Sequence, residues 1–117
     1  MTARPPAEEF LPLRPVEFQV LLALVEGERH GYGILLEVAR RSEGTVRLEP
    51  GTLYRALRRM LKAGLVTHAS GPAGEGDDDR RRYYRLTALG RRVATAEAER
   101  MDTLVLAARA RGLLRKA

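Results

Sequence analysis

Cysteine is absent from the 117 residues. That excludes a disulfide framework, a thiol nucleophile and a thiolate-ligated zinc. Long apolar runs are absent too, and no stretch approaches the roughly 20 residues that cross a bilayer. The opening Met1-Thr2-Ala3-Arg4-Pro5-Pro6 has no apolar core of a secretory signal, so a cytoplasmic, membrane-free chain is expected. The only histidines, His30 and His68, have no partner at ligand spacing. Asp77-Asp78-Asp79 lacks a ligand framework and reads as a solvated loop. There is no phosphate-binding loop, no dinucleotide fingerprint and no nucleophile–base–orienter set, so neither enzymatic activity nor a cofactor is expected. Acidic side chains are the scarcer charge, 15 against 21 Lys and Arg, for a net +6. That balance favours an anionic partner.

What is present fits one domain with a real core. Residues 1–14 form a proline-punctuated, partly ordered arm (Pro5, Pro6, Pro12), in which Ala7 to Leu11 could make a helical turn docking Phe10 and Leu11. A first helix is expected over Val16 to Glu26. Phe18, Leu21, Leu22 and Val25 form its main stripe, and Val16, Val20 and Leu24 a second strip beside it. A second helix, Gly31 to Ser42, turns Tyr32, Leu35, Val38 and Ala39 inward, and Gly33 suggests close backbone packing. His30 reads as a helix-start residue with a local hydrogen bond. Thr45 to Leu48 is extended. Leu65 to Ser70 and Arg80 to Leu86 are two strands of a hairpin, with Tyr84 and Leu86 as core and His68 as an ordinary strand residue.

Between them lies the most informative segment, Pro50 to Gly64. Leu53, Leu57, Met60 and Leu61 recur at i, i+4, i+7 and i+8 and form an apolar stripe. Thr52, Arg55, Arg59 and Lys62 line another face, flanked by Tyr54 and Arg58, and no acidic residue of the helix neutralises it. Pro50 suits the first turn and Gly64 the C-terminal cap. A helix apolar on one side and cationic on the other suits the DNA major groove. Lying on an anionic membrane is excluded because the core claims the apolar face.

Thr87 caps a last helix from Ala88 to about Leu114. Ala94, Ala98, Met101, Val105, Ala108 and Gly112 are spaced 4, 3, 4, 3, 4, an a/d seam that predicts a homodimer. Leu104, Leu106 and Leu113 lie off the seam and also need cover. The fold expected is mainly α with a small β-hairpin: a winged helix-turn-helix body over 15–86 and a long C-terminal dimerisation helix over 87–117. In that arrangement the second helix of the motif enters the major groove and the wing lies along adjacent phosphates or the minor groove.

Several segments together closely resemble the PadR family of bacterial transcriptional regulators. They are Leu22-Ala23-Leu24, His30-Gly31-Tyr32, Pro50-Gly51-Thr52-Leu53-Tyr54, Ala56-Leu57 with Arg58 and Arg59, Gly64-Leu65-Val66, and Arg82-Tyr83-Tyr84-Arg85-Leu86-Thr87 with Gly90. The resemblance covers about Leu13 to Gly90, and the short tail is similar to the family's short-tailed branch. It implies a dimeric winged-helix repressor on double-stranded, pseudo-palindromic operator DNA, usually sensing a small-molecule effector. Arg55 stands where the family often has proline, and the wing-tip aspartates lie beside the arginines.

The expected DNA contacts are Gly51 and Thr52 at a phosphate, with Tyr54 reaching a phosphate by resemblance. Arg55 and Arg59 are expected at base edges, Arg58 and Lys62 on the backbone, and Arg80, Arg81, Arg82 and Tyr83 along the wing. The alternative is a winged-helix protein–protein module binding an acidic partner, which the run of cations on the third helix disfavours. An effector cavity between the first and last helices of two subunits would be small, since the tail is short and tryptophan is absent.

Overall fold

The computed structural model describes residues 6–71 and 82–115. After a 3-10 turn at Ala7–Phe10, the order is α1 (Pro15–Leu24), β1 (Arg29–His30), α2 (Gly31–Arg41), α3 (Pro50–Ala63), β2 (Val66–Ala69), β3 (Tyr83–Leu86) and α4 (Ala88–Ala110). The three strands form one antiparallel sheet in the order β1-β3-β2. Val66 lies opposite Leu86 and His68 opposite Tyr84, while His30 pairs with Tyr83 on the far side. This is the winged helix-turn-helix arrangement, mainly helical with a small sheet, that the patterning predicts.

One core joins all the helices. Val20, Leu21, Ala23 and Leu24 of α1, Ile34 and Val38 of α2, Leu53, Ala56, Leu57 and Met60 of α3, and Val93 and Ala94 of α4 are buried together with Leu65, Val66 and Tyr84. The N-terminal turn docks on it through Ala7, Phe10 and Leu11, as the arm's short apolar run suggests.

Four expectations change. In α1 the buried face draws on both strips, taking Leu21 from one and Val20 and Leu24 from the other. Leu22 and Val25 of the expected main stripe are on the surface, 37% and 36% exposed, because Ala23 takes the core position between Val20 and Leu24. Tyr32 is 63% exposed; the inward face of α2 is Ile34 with Val38, and Leu35 and Ala39 are half-buried. Gly33 meets no foreign backbone. Its neighbour is the His30 ring, which caps α2 by accepting the Gly33 N–H at 2.9 Å. The sheet gains β1, a two-residue strand with no apolar alternation to announce it. Arg29 anchors it by donating from Nε to the Ala23 carbonyl at 2.7 Å and facing Glu37 at 3.7 Å.

The junction of α3, β2 and α4 is tightly packed. Gly64 adopts φ +81°, a left-handed cap that a side chain would strain. The chain then turns so that the Leu65 N–H reaches the Met60 carbonyl at 2.9 Å. Thr87 caps α4 by accepting the Gly90 N–H at 2.9 Å, and its hydroxyl donates to the Gly64 carbonyl at 2.5 Å. A Cβ at Gly90 would run into the Leu65 carbonyl oxygen, so α4 begins pressed against the end of α3.

Candidate nucleic-acid interface

The position of α3 follows from its burial. Leu53, Ala56, Leu57 and Met60 lock one side into the core, and Leu61 is half-buried beside them. The side opposite the core is therefore the row Gly51, Arg55, Arg58 and Lys62, at i, i+4, i+7 and i+11, all exposed. Thr52 and Arg59, expected in the middle of that face, sit half-buried on its flank.

The two flanks differ chemically. On one, Arg59 Nε faces Glu17 Oε2 of α1 at 3.4 Å. The other Glu17 oxygen accepts the Arg14 N–H at 3.2 Å at the start of α1. Among the described residues, Arg55, Arg58 and Lys62 make no ion pair; Arg55 touches only the Thr52 hydroxyl of its own helix, at 3.3 Å. The outward row is thus charged and uncompensated. At the helix start, Glu49 occupies the cap position without bonding any N–H through its side chain, which leaves the Gly51 and Thr52 amides available to an anion.

On the other flank, a cleft of about 450 Å³ separates α3 from the sheet; Tyr54, Arg58 and Leu61 line one wall, and His68, Arg82 and Tyr84 the other. The Tyr54 hydroxyl lies on Gly31, where any Cβ would meet it. The first glycine of α2 is what lets Tyr54 lean across from α3. Burial pushes the Tyr84 phenol up from its ordinary value, the neighbouring Tyr54 adds to that, and Arg82 opposes it. Tyr84 therefore stays neutral at the floor of the cleft. Tyr83 is half-buried, its ring edge-on to His30 at 5.3 Å. Arg82 precedes β3 on the surface, whereas Arg80, Arg81 and the wing-tip aspartates lie outside the described residues.

The expected seam of α4 is brought only partly to one surface. Ala94 is 7% exposed and belongs to the chain's own core, and Gly112 lies beyond the helix end at φ +78°. Ala98, Met101, Val105 and Ala108 remain on the helix. Leu104 and Leu106 are each 56% exposed alongside them. Sequence reasoning missed three residues here. Glu17 and Gly31 act from other elements on Arg59 and Tyr54, and Glu97, fully buried, is the lone charged side chain in the core of the described residues. The position of Glu17, an acid in the first turn of α1 directly after Pro15, is the signal that could have found the first.

A helix-turn-helix whose second helix presents an open cationic row, flanked by a β-hairpin, defines the class of winged-helix transcriptional regulators. The family profile of PadR-like transcriptional regulators matches residues 20–96. The chain belongs to that family.

Solved structures agree on the fold. A transcriptional regulator from Clostridium thermocellum superposes with a TM-score of 0.68 at 22% identity, over 92% of this chain and 94% of its own. A PadR-like regulator from Bacillus cereus gives 0.68 at 20% identity, over 87% and 93%. Bacillus subtilis PadR, solved in complex with operator DNA, gives 0.60 at 20% identity, over 77% of this chain and 48% of that one. An uncharacterized protein from Lysinibacillus sphaericus is 31% identical over 72 residues; the match spans 62% of this chain and 64% of that relative. Among the described residues, no helix is long and apolar enough to cross a membrane.

Proposed function

We propose that this protein is a sequence-specific DNA-binding regulator that acts as a homodimeric repressor on a pseudo-palindromic operator. The observation that carries this reading is the outward row of α3: Arg55, Arg58 and Lys62 stand exposed, without carboxylate partners among the described residues, on a helix whose opposite side is locked in the core. A neighbour of the same fold was captured on operator DNA, which supports placing this face in the major groove. The open Gly51 and Thr52 amides take a phosphate, helped by Tyr54. Arg55 reads a base edge. Arg58 and Lys62 grip the backbone, and Arg82 and Tyr83, with Arg80 and Arg81, follow it along the wing. Arg59, steadied by Glu17, reaches the groove from the flank through the Nη groups its ion pair leaves open.

The dimer reading rests on α4. Gly90, Val93, Ala94 and Glu97 are buried on its own body. The same stripe continues as Met101, Leu104, Val105 and Ala108, where the body no longer covers it. A second copy packing there completes the helix. Two recognition helices related by a two-fold axis read half-sites about 34–36 Å apart, or a multiple of that. The effector implied by the family would lodge between the first and last helices of the paired subunits and shift that spacing.

Selection of binding sites from a random duplex library tests the reading. The expected product is an inverted repeat bound by a protein of dimeric mass in light scattering. A library that emerges without any enriched motif would defeat it.

A further inference from the structure

Glu97 is a charged side chain that is 0% exposed in the middle of α4. Its Oε2 accepts the Leu13 N–H at 2.8 Å, across 84 positions of sequence. Its other oxygen is paired with Arg100 one turn on. Leu13 lies two residues before α1, and its side chain is part of the core. The hydrogen bond therefore runs from the start of α1 to the third turn of α4. The first turn of α4 is held separately, by Gly90 against Leu65 and by Thr87 to Gly64.

Two fixed points define the direction of a rod. Gly90 and Glu97 are seven residues apart, about 10 Å along the helix. Beyond Glu97, α4 continues to Ala110 as a largely exposed projection of roughly 20 Å. Without the second point its direction would rest on the packing of Gly90, Val93 and Ala94 alone, with no polar tie to set its angle. A tilt of about 15°, within the ordinary scatter of helix packing, moves the far end of such a lever by roughly 5 Å.

We infer that Glu97 is a positioning residue for operator recognition: by tying the start of α1 to α4 it fixes the angle of the projecting helix, and so the distance between the recognition helices of a dimer. This rests on the dimer reading above. A carboxylate suits the task better than an apolar residue. An apolar side chain could fill the same volume, but it would leave the buried Leu13 N–H without an acceptor and could not hold it at a set point.

The test separates positioning from stability. The chain has no cysteine, so Ala63→Cys at the exposed end of α3 gives one spin-label site per protomer. The label-to-label distance in the dimer is then measured by double electron–electron resonance, with dimeric mass confirmed on the same samples. The parent should give one narrow distance. Glu97→Leu should lower the thermal midpoint but keep dimeric mass, while the distance moves or spreads by roughly 5 Å. Glu97→Gln, which retains an acceptor oxygen for Leu13, should restore the parent distance. Leu13→Pro removes the donor while leaving the sequence of α4 intact, at the cost of a core side chain; a folded, dimeric Leu13→Pro decides the matter should Glu97→Leu fail to fold. A dimeric, folded variant lacking this hydrogen bond but keeping the parent distance would overturn the inference. A monomeric parent would instead strike the dimer reading itself, and the positioning role with it.

Discussion

Arg55 and Arg59 stand one turn apart on α3, yet their surroundings give them different tasks. Arg55 is exposed and touches only Thr52, so its guanidinium is available for the bidentate contact that guanine offers. Arg59 is tethered to Glu17. Arg55→Ala should cost about 1–3 kcal/mol on the selected operator and much less on random DNA. Equal losses on both would refute base reading. Lys62→Ala should weaken both DNAs alike and lower the slope of log affinity against log salt by about 1; isotherms at several salt concentrations read it directly. At Gly90 the expected effect is on folding. A methyl group there meets the Leu65 carbonyl oxygen, a backbone atom with little room to move. Gly90→Ala should therefore lower the urea midpoint by an amount corresponding to about 1–3 kcal/mol. Gly31→Ala meets the movable Tyr54 ring first and should cost less stability, while disturbing the DNA contact proposed for Tyr54.

At the scale of elements, caps and apolar spacing made most of the fold legible. Pro50 and Gly64 bracket α3 where the sequence places them, and Thr87 caps α4. Thr87→Ala removes that cap and the tie to Gly64; about 1–2 kcal/mol of stability should go with it, measured by denaturant unfolding. Elements shaped by remote contacts were harder to see. The strand β1 is two residues long and held by Arg29, a pairing with no local periodicity. In α1 the spacing makes Phe18, Leu21, Leu22 and Val25 the main stripe, and only the partners decide that Leu22 and Val25 stay outside. Tyr32 was misjudged because an aromatic near helical spacing resembles core, whereas here it sits on the rim beside His30, their ring centroids 6.4 Å apart. The composition of the candidate site was legible, and its centre was not. The deep side of α3 includes Ala56, which turns the outward row toward Arg58 and moves Arg59 to the flank.

The whole molecule joins a DNA-facing body to a helix that projects from it, and Glu97 couples the two. Hydrogen bonding from Arg100, aided by the Leu13 N–H, holds the Glu97 carboxyl below its ordinary value despite the opposing effect of burial. A group depressed in the folded state contributes stability above its unfolded value, and that stability is lost as pH falls through the folded value. The urea midpoint should fall with acidification below the usual carboxylate range, and less steeply in Glu97→Leu; parallel curves would contradict the assignment. The central claim, however, concerns α3. The most direct measurement is fluorescence anisotropy of the full chain on its selected operator and on a scrambled duplex, across a range of salt. The account predicts at least about 10³-fold preference for the operator and a linear loss of log affinity with log salt on both duplexes. Equal affinity for the two duplexes, or binding indifferent to salt, would contradict it.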